Sequence, residues 1–346
     1  MLFKRFINTI FKDPSGISLG LDIGSHAIKA VQLKRSQERI RLISYDILEL
    51  PDSEKDFFQT NLQKIIRKIL EGKNFQNLRL VTSLGGSQVI VRQVRFPLIS
   101  SKELESSLRW EVRDHIPFPI DEVELKFQII SRNKGSMTME VLLVAITKKA
   151  LEKHLKMLKQ LEMQPSIIDV NPLALMNCLW WGGNHKVDKA IILMDIGARV
   201  TTISIFRKEL FYFTRDIMLA GNDFTGELQK KLGLNFAQAE KQKKENESDP
   251  KLFESTLERL VSELQQSLLY FEKKTGAMQF EKIYLSGGGA RMKGLDEFLT
   301  RGLSIPAIVA MPFKNILLEG RNVSDERLDM LSPQLTLALG LALREE

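Results

Sequence analysis

Two aspartates in this sequence stand in the same setting. Leu21-Asp22-Ile23-Gly24 and Met194-Asp195-Ile196-Gly197 repeat one motif half a chain apart, each placing a carboxylate at the end of an apolar stretch, then a glycine, then a second strand-like stretch. A glycine at such a turn lets backbone N–H groups approach an anion closely, and a concave run of them binds phosphate oxygens. One carboxylate from each copy can hold a magnesium ion that keeps most of its waters and screens those phosphates. The competing reading is a pair of ordinary tight turns with solvated aspartates. A third motif, Ser286-Gly287-Gly288-Gly289-Ala290-Arg291-Met292, follows a strand-like run and opens a helix. Its glycine spacing and the lack of an acidic residue at the right distance on a second strand argue against a dinucleotide fingerprint. Such backbone can instead lie flat against a nucleotide base and ribose.

The elements that must position these groups follow from hydrophobic period and turn chemistry. Strands are expected over 17–23, 27–34, 39–50 and 78–84, the first two joined at Gly24 and Ser25, with an amphipathic helix over 55–70 between the last two. The texture then changes. Strands over 88–95, 123–131 and 137–147 and helices over 101–115 and 149–161 read as a small α+β subdomain inserted into the first half. Strand 167–170 and helix 173–180 resume the first pattern, and Gly182, Gly183 and Asn184 break it. Strand, turn and strand recur over 190–206, which makes an internal duplication the simplest account. Helices over 222–232, 236–245 and 250–275, a strand over 282–286 and a closing helix over 333–344 complete the chain.

Composition narrows the function. The 346 residues suffice for two ordinary domains. The formal charge of +7 comes from basic residues mixed with acidic ones, as over 241–247, and no aromatic-basic motif accompanies it, so nucleic acid is not expected as a partner. Cys178 is the single cysteine, which excludes an intrachain disulfide and a thiolate metal cage and suits a reducing cytoplasm. His115, His154 and His185 are scattered and read as structural. No run approaches the roughly 20 apolar residues of a membrane span, and the N-terminus lacks the pattern of a signal peptide. Leu2, Phe3, Phe6, Ile7, Ile10 and Phe11 fall at helical spacing beside Lys4, Arg5 and Lys12. This basic amphipathic helix over 1–13 either lies in a membrane interface or docks on protein.

The three motifs, in this order and over about 17–344, resemble the superfamily of actin, sugar kinases and heat-shock chaperone ATPases. Val81-Thr-Ser-Leu-Gly-Gly86 followed by the inserted subdomain is similar to the FtsA and PilM branch. Ile116-Pro-Phe-Pro119, Ile168-Asp169-Val170, Gly221-Asn222-Asp223, Ala239-Glu240 with Lys243, and Ala338 to Leu343 look like the PilM family of type IV pilus assembly proteins.

The resemblance implies an α/β, two-lobed actin-like ATPase fold made of duplicated ribonuclease-H-like domains. The first lobe would take 17–86 and 167–185, the inserted subdomain 87–166, the second lobe 186–346 with a helical part at about 216–280, and an arm 1–16. It implies ATP and Mg2+ as ligands. Asp22 and Asp195 would position hydrated magnesium, while Gly24, Ser25 and Gly197 would supply phosphate-binding backbone. Lys29 would neutralise the phosphates or remain a solvated lysine. Glu240 and Lys243 would serve ribose and base or remain a surface ion pair, and Gly287, Gly288 and Met292 would line the adenosine. His26 departs from the small residue usual at the hairpin tip, where it would restrict or contact the terminal phosphate. Asn171 replaces an expected carboxylate, so at most a slow ATPase follows. The implied partners are the cytoplasmic N-terminal tail of a PilN-like inner-membrane protein, held by 88–166, and other inner-membrane and motor components of the pilus, with peripheral membrane contact through 1–13. The implied place of work is the inner face of the inner membrane. The rival readings are an FtsA-like filament scaffold and a small-molecule kinase, for which Asp169 is the only candidate base.

Overall fold

The structure, a computed structural model, describes residues 16–36, 39–50, 78–181, 189–207, 210–245, 250–319 and 325–345. The helices expected over 1–13 and 55–70 and the break at 182–184 lie outside these residues.

In chain order the first lobe opens with strands β1 (Ile17–Ile23), β2 (Ala27–Ser36), β3 (Arg39–Glu49) and β4 (Arg79–Leu84). The inserted part is β5 (Val89–Pro97), α1 (Ser101–Glu111), β6 (Val123–Asn133), β7 (Thr138–Thr147) and α2 (Lys148–Gln160). Next come β8 (Ile167–Val170) and α3 (Asn171–Trp181). The second half runs β9 (Ala190–Ile196), β10 (Thr201–Arg207), β11 (Leu210–Ile217), α4 (Gly221–Leu232), α5 (Phe236–Lys244), α6 (Glu254–Thr275) and β12 (Phe280–Ser286). It closes with α7 (Leu295–Leu303), β13 (Ala307–Val309), β14 (Leu317–Leu318) and α8 (Asp325–Ala342).

Two sheets carry the duplication. One has strand order β14-β3-β2-β1-β4-β8 and the other β11-β10-β9-β12-β13. In each, a three-stranded antiparallel meander leads, and a later strand (β4, β12) pairs parallel to its first strand. β1 and β9 are covered on both faces and so read as apolar runs without alternation. In the second lobe Ile192, Met194, Ile203, Phe224, Leu264 and Phe271 fill the space between sheet and helices. The expected strand and helix series holds in the main, and the helix expected over 250–275 opens with a 3-10 turn, Pro250–Phe253. Strand β11 and the short β13 and β14 escaped the pattern reading. α1 stops at Glu111 and passes into a 3-10 turn, Arg113–His115. The closing helix starts at Asp325, leaving Pro333 in its interior.

That helix also corrects the expected lobe boundary. β14 pairs with β3, and α8 packs on β1, β2 and α3, so the end of the expected 186–346 lobe joins the first sheet. Gly20 makes the approach feasible, because a Cβ there would collide with the Ala338 carbonyl, and Gly340 meets the Ala174 carbonyl likewise. The inserted subdomain is a three-stranded sheet of order β5-β7-β6. On it α1 buries Leu104 and Leu108, its start fixed by a capping box in which Glu103 N–H donates to Ser100 Oγ at 3.2 Å and Ser100 N–H to the Glu103 carboxylate at 2.8 Å.

Candidate functional site

The two hairpin turns are built alike. Gly24 N–H donates to the Ala27 carbonyl at 3.1 Å, and Gly197 N–H to the Val200 carbonyl at 3.0 Å. A Cβ at either glycine would stand 2.9 Å from that same carbonyl, which is why the position takes glycine in both copies. Ser25 is exposed on the first turn. The second turn is braced from α4: Gly221 N–H donates to the Gly197 carbonyl at 2.9 Å and Asn222 N–H to that of Ala198 at 2.8 Å.

Behind the turns the carboxylates converge. Asp22 and Lys29 are register partners on β1 and β2, and Lys29 Nζ lies 2.7 Å from Asp22 Oδ2. Burial alone would lower the Lys29 pKa, but attraction to Asp22, the hydrogen bond between them and the charge of Asp195 together raise it. Burial raises the Asp195 carboxyl, against the opposing pull of Lys29 and of the Ser286 hydroxyl, which donates to Oδ1 at 2.9 Å. Asp22, Lys29 and Asp195 are thus one electrostatically coupled, largely buried polar group drawn from both lobes. The reading of Lys29 as a solvated lysine gives way to a partly buried pair, its side chain 18% exposed.

This donor set suits hydrated magnesium. The described residues hold no cluster of three or more metal-ligating side chains, so an all-protein cage is not built here. Magnesium takes one or two carboxylates and completes its shell with water and substrate phosphate oxygens. Asp22 and Asp195 would supply the two carboxylates, and Lys29 would add a cation for phosphate.

On the far side of the second sheet's first strand, Gly287 has φ +84, and a Cβ there would run into Ile196 backbone. Gly288 faces open space with nothing within 4 Å of a built Cβ, which leaves its backbone bare for a flat ligand. Met292 is placed differently from expectation: its side chain is buried in the second-lobe core.

Glu240 and Lys243 on α5 are no surface pair. Their charged atoms stand 2.6 Å apart and the side chains are 12% and 9% exposed. Lys243 Nζ donates to Thr225 Oγ1 at 2.7 Å and to the Gly221 carbonyl at 2.8 Å, and Thr225 donates to Glu240 Oε2 at 2.6 Å. Burial would raise the Glu240 carboxyl, but Lys243, Thr225 and Lys244 hold it below the usual range. His26 reaches across the cleft to this network, its Nε2 4.0 Å from Glu240 Oε1, so the hairpin tip faces α5. Lys244 Nζ meets Glu49 Oε1 on β3 at 2.8 Å and forms a second link between lobes.

Other side chains are settled by their neighbours. Asp169 is buried with Arg344, Oδ2 to Nε 3.4 Å, and its Oδ1 accepts from Val170 N–H, which removes it as a kinase base. Asn171 Oδ1 accepts from Ser83 Oγ at 2.7 Å. His154 is buried against Thr82, 3.3 Å between Nε2 and Oγ1, a structural role as expected. Two groups that the sequence reading missed line the cleft: Thr202, opposite Asp195 on β10, and Asp216, opposite Thr202 on β11.

The family model of type IV pilus assembly protein PilM matches residues 20–346. The chain belongs to the PilM family. Its fold agrees with that membership. A solved PilM-PilN type IV pilus biogenesis complex is similar at 27% identity and TM-score 0.81, covering 94% of this chain and 98% of the other. The ethanolamine utilization protein EutJ from Carboxydothermus hydrogenoformans matches at 15% identity and TM-score 0.57, over 95% of this chain and 90% of its own. MreB5 of Spiroplasma citri bound to ADP matches at 14% and 0.50, over 95% of each chain. These two likenesses concern the fold, the two-lobed actin-like one that the resemblance implied. Among the described residues of this PilM-family chain, no helix is long and apolar enough to cross a membrane.

Proposed function

We propose that this chain binds ATP and magnesium between its two hairpins and, so loaded, holds the cytoplasmic N-terminal tail of a PilN-like inner-membrane protein during pilus assembly. The observation that carries the reading is the convergence of Asp22, Lys29 and Asp195 from duplicated hairpins in a PilM-family chain. The Gly24 and Gly197 N–H groups close their turns on Ala27 and Val200, so the backbone N–H groups that follow them in each turn, with the Lys29 ammonium, bind phosphate oxygens. Asp22 and Asp195 hold the magnesium's water shell, and the bound ion supplies charge neutralisation of the phosphates. Gly288 backbone and the Glu240–Lys243 network receive the nucleoside.

The tail-binding surface is the inserted subdomain with its neighbour in the first lobe, over 88–166. A solved relative captured together with PilN supports this choice of partner. Work at the inner face of the inner membrane follows from such a partner, with the 1–13 segment as an additional peripheral contact and other pilus inner-membrane and motor components within reach. The bound nucleotide sets the relation of the lobes, so turnover need only be slow. The test is fluorescence anisotropy of a labelled PilN-type tail peptide titrated with the ATP-loaded protein. Saturable binding that weakens without nucleotide is expected, and no binding to the loaded protein refutes the partner.

A further inference from the structure

A polar row crosses the second sheet. Ser286 on β12 is the register partner of Asp195 on β9, Asp195 of Thr202 on β10, and Thr202 of Asp216 on β11. Register partners share a face, so four polar side chains stand side by side. They pair at the two ends: Ser286 donates to Asp195, and Thr202 Oγ1 donates to Asp216 Oδ1 at 2.8 Å. The glycines that suit a nucleoside follow β12, and the phosphate turn joins β9 to β10. β11 lies one strand beyond, on the side away from the nucleoside. A phosphate chain running along the row therefore points its terminal group toward Asp216.

At that end lies a cavity of about 210 Å³ between the lobes, walled by Thr202, Thr214 and Asp216 on one side and by Gly85, Gly86 and Asn171 on the other. That is well above the space one water needs. Asn171 is an amide with its oxygen committed to Ser83, so it takes no proton. Asp216 Oδ2 has no hydrogen-bond partner among the described residues.

We propose that Asp216 is the general base of a slow ATP hydrolysis, taking the proton of a water held in this cavity. The proposal rests on the nucleotide reading above. The water oxygen forms the new bond to the terminal phosphorus, and the bond from that phosphorus to the β–γ bridging oxygen breaks. Its electron pair leaves with ADP, the water's proton goes to Asp216, and the products are ADP and inorganic phosphate. In phosphoryl transfer the protein contributes mainly position and charge, with one residue orienting the nucleophile. Thr202 fixes the Asp216 carboxylate for that task. Burial lifts the Asp216 carboxyl above the ordinary range, against the Thr202 hydrogen bond, which makes it a better proton acceptor than a surface aspartate.

The test compares wild type with Asp216→Asn in three measurements: ATP affinity by calorimetry, single-turnover hydrolysis, and carboxyl carbon NMR of Asp216 in wild type. The expected result is ATP affinity within about 3-fold and a single-turnover rate lower by about 100- to 10,000-fold. In wild type the Asp216 resonance should move with a non-hydrolysable ATP analogue and stay near its free position with ADP. Should Asp216→Asn fail to fold, Thr202→Val, which keeps the volume and frees the carboxylate, replaces it, with a rate loss of at least about 10-fold. Bound ATP turned over at the wild-type rate by the variant overturns the proposal alone, as does bound ATP that wild type never hydrolyses or an equal NMR response to ADP and analogue. No ATP binding by wild type overturns the nucleotide reading and this proposal with it.

Discussion

Replacing Lys29 by methionine keeps the length of the side chain and removes its charge. In the native protein its ammonium lies 2.7 Å from Asp22 Oδ2 and also attracts Asp195. Breaking a buried pair by removing one partner costs about 3–5 kcal/mol. The low end, about 3 kcal/mol, applies because the two side chains keep 18% and 10% exposure. With an unfolding entropy of about 2.1 cal/mol/K per residue over this chain, that is a drop in melting temperature of about 4 °C. The loss depends on pH in a definite direction. Asp195 is held above the ordinary carboxylate range by burial, and Lys29 is its largest opposing influence. In the variant it therefore rises further. A raised carboxyl contributes stability below its unfolded value that is lost as pH climbs through the folded one, so the deficit is small near pH 4 and grows toward pH 7. Nucleotide binding suffers separately. A hydrogen bond to a charged group contributes about 1.5–3 kcal/mol, so ATP affinity should fall about 10- to 150-fold. Differential scanning calorimetry at pH 4.5 and 7.5, followed by ATP titration, reads both effects. Equal melting temperatures at pH 7.5 with unchanged ATP affinity would refute the assignment of Lys29 to a buried phosphate-side cluster.

Gly287→Ala puts a side chain at φ +84 against Ile196 backbone and should cost about 2 kcal/mol or more, whereas Gly288→Ala, which meets nothing within 4 Å, should leave thermal stability unchanged and weaken ATP binding. Burial lowers the His154 pKa, so the native protein holds it neutral and loses stability as pH falls through the unfolded value near 6.5; His154→Gln should flatten that limb of a stability profile. Lys244→Glu breaks the contact with Glu49 across the cleft, and an exposed pair of this kind contributes about 0.2–1 kcal/mol. Stopped-flow release of a fluorescent ATP analogue should accelerate about 2- to 5-fold in that variant and slow again in Glu49→Lys/Lys244→Glu.

The site was legible in the sequence where its constraints are local. A glycine whose Cβ would strike the carbonyl three residues on leaves a mark in each hairpin, and Lys29 is fixed opposite Asp22 by hairpin register alone. Glu240 and Lys243 were readable as sharing a helix face, but their burial was not, because Thr225 and Gly221 reach them from α4. His26 was expected at the terminal phosphate; its approach to Glu240 across the cleft was not legible, because it depends on how the lobes pack. Asp216 sits on an unrecognised strand, and only the pairing of β11 with β10 brings it beside Thr202. Pro333 reads as a helix start because it lacks an N–H. It lies within α8, where its carbonyl accepts the Gly287 N–H at 2.8 Å and ties that helix to the glycine turn. β13 and β14, three and two residues long, are too short to show a period.

The placement of nucleotide between the hairpins is tested most directly by calorimetry of ATP binding in the presence of magnesium, with wild type and the Asp22→Ala/Asp195→Ala double variant side by side. Binding by wild type that depends on magnesium and is lost in a folded double variant is the expected result. Equal binding by both proteins, or none by a folded wild type, would contradict it.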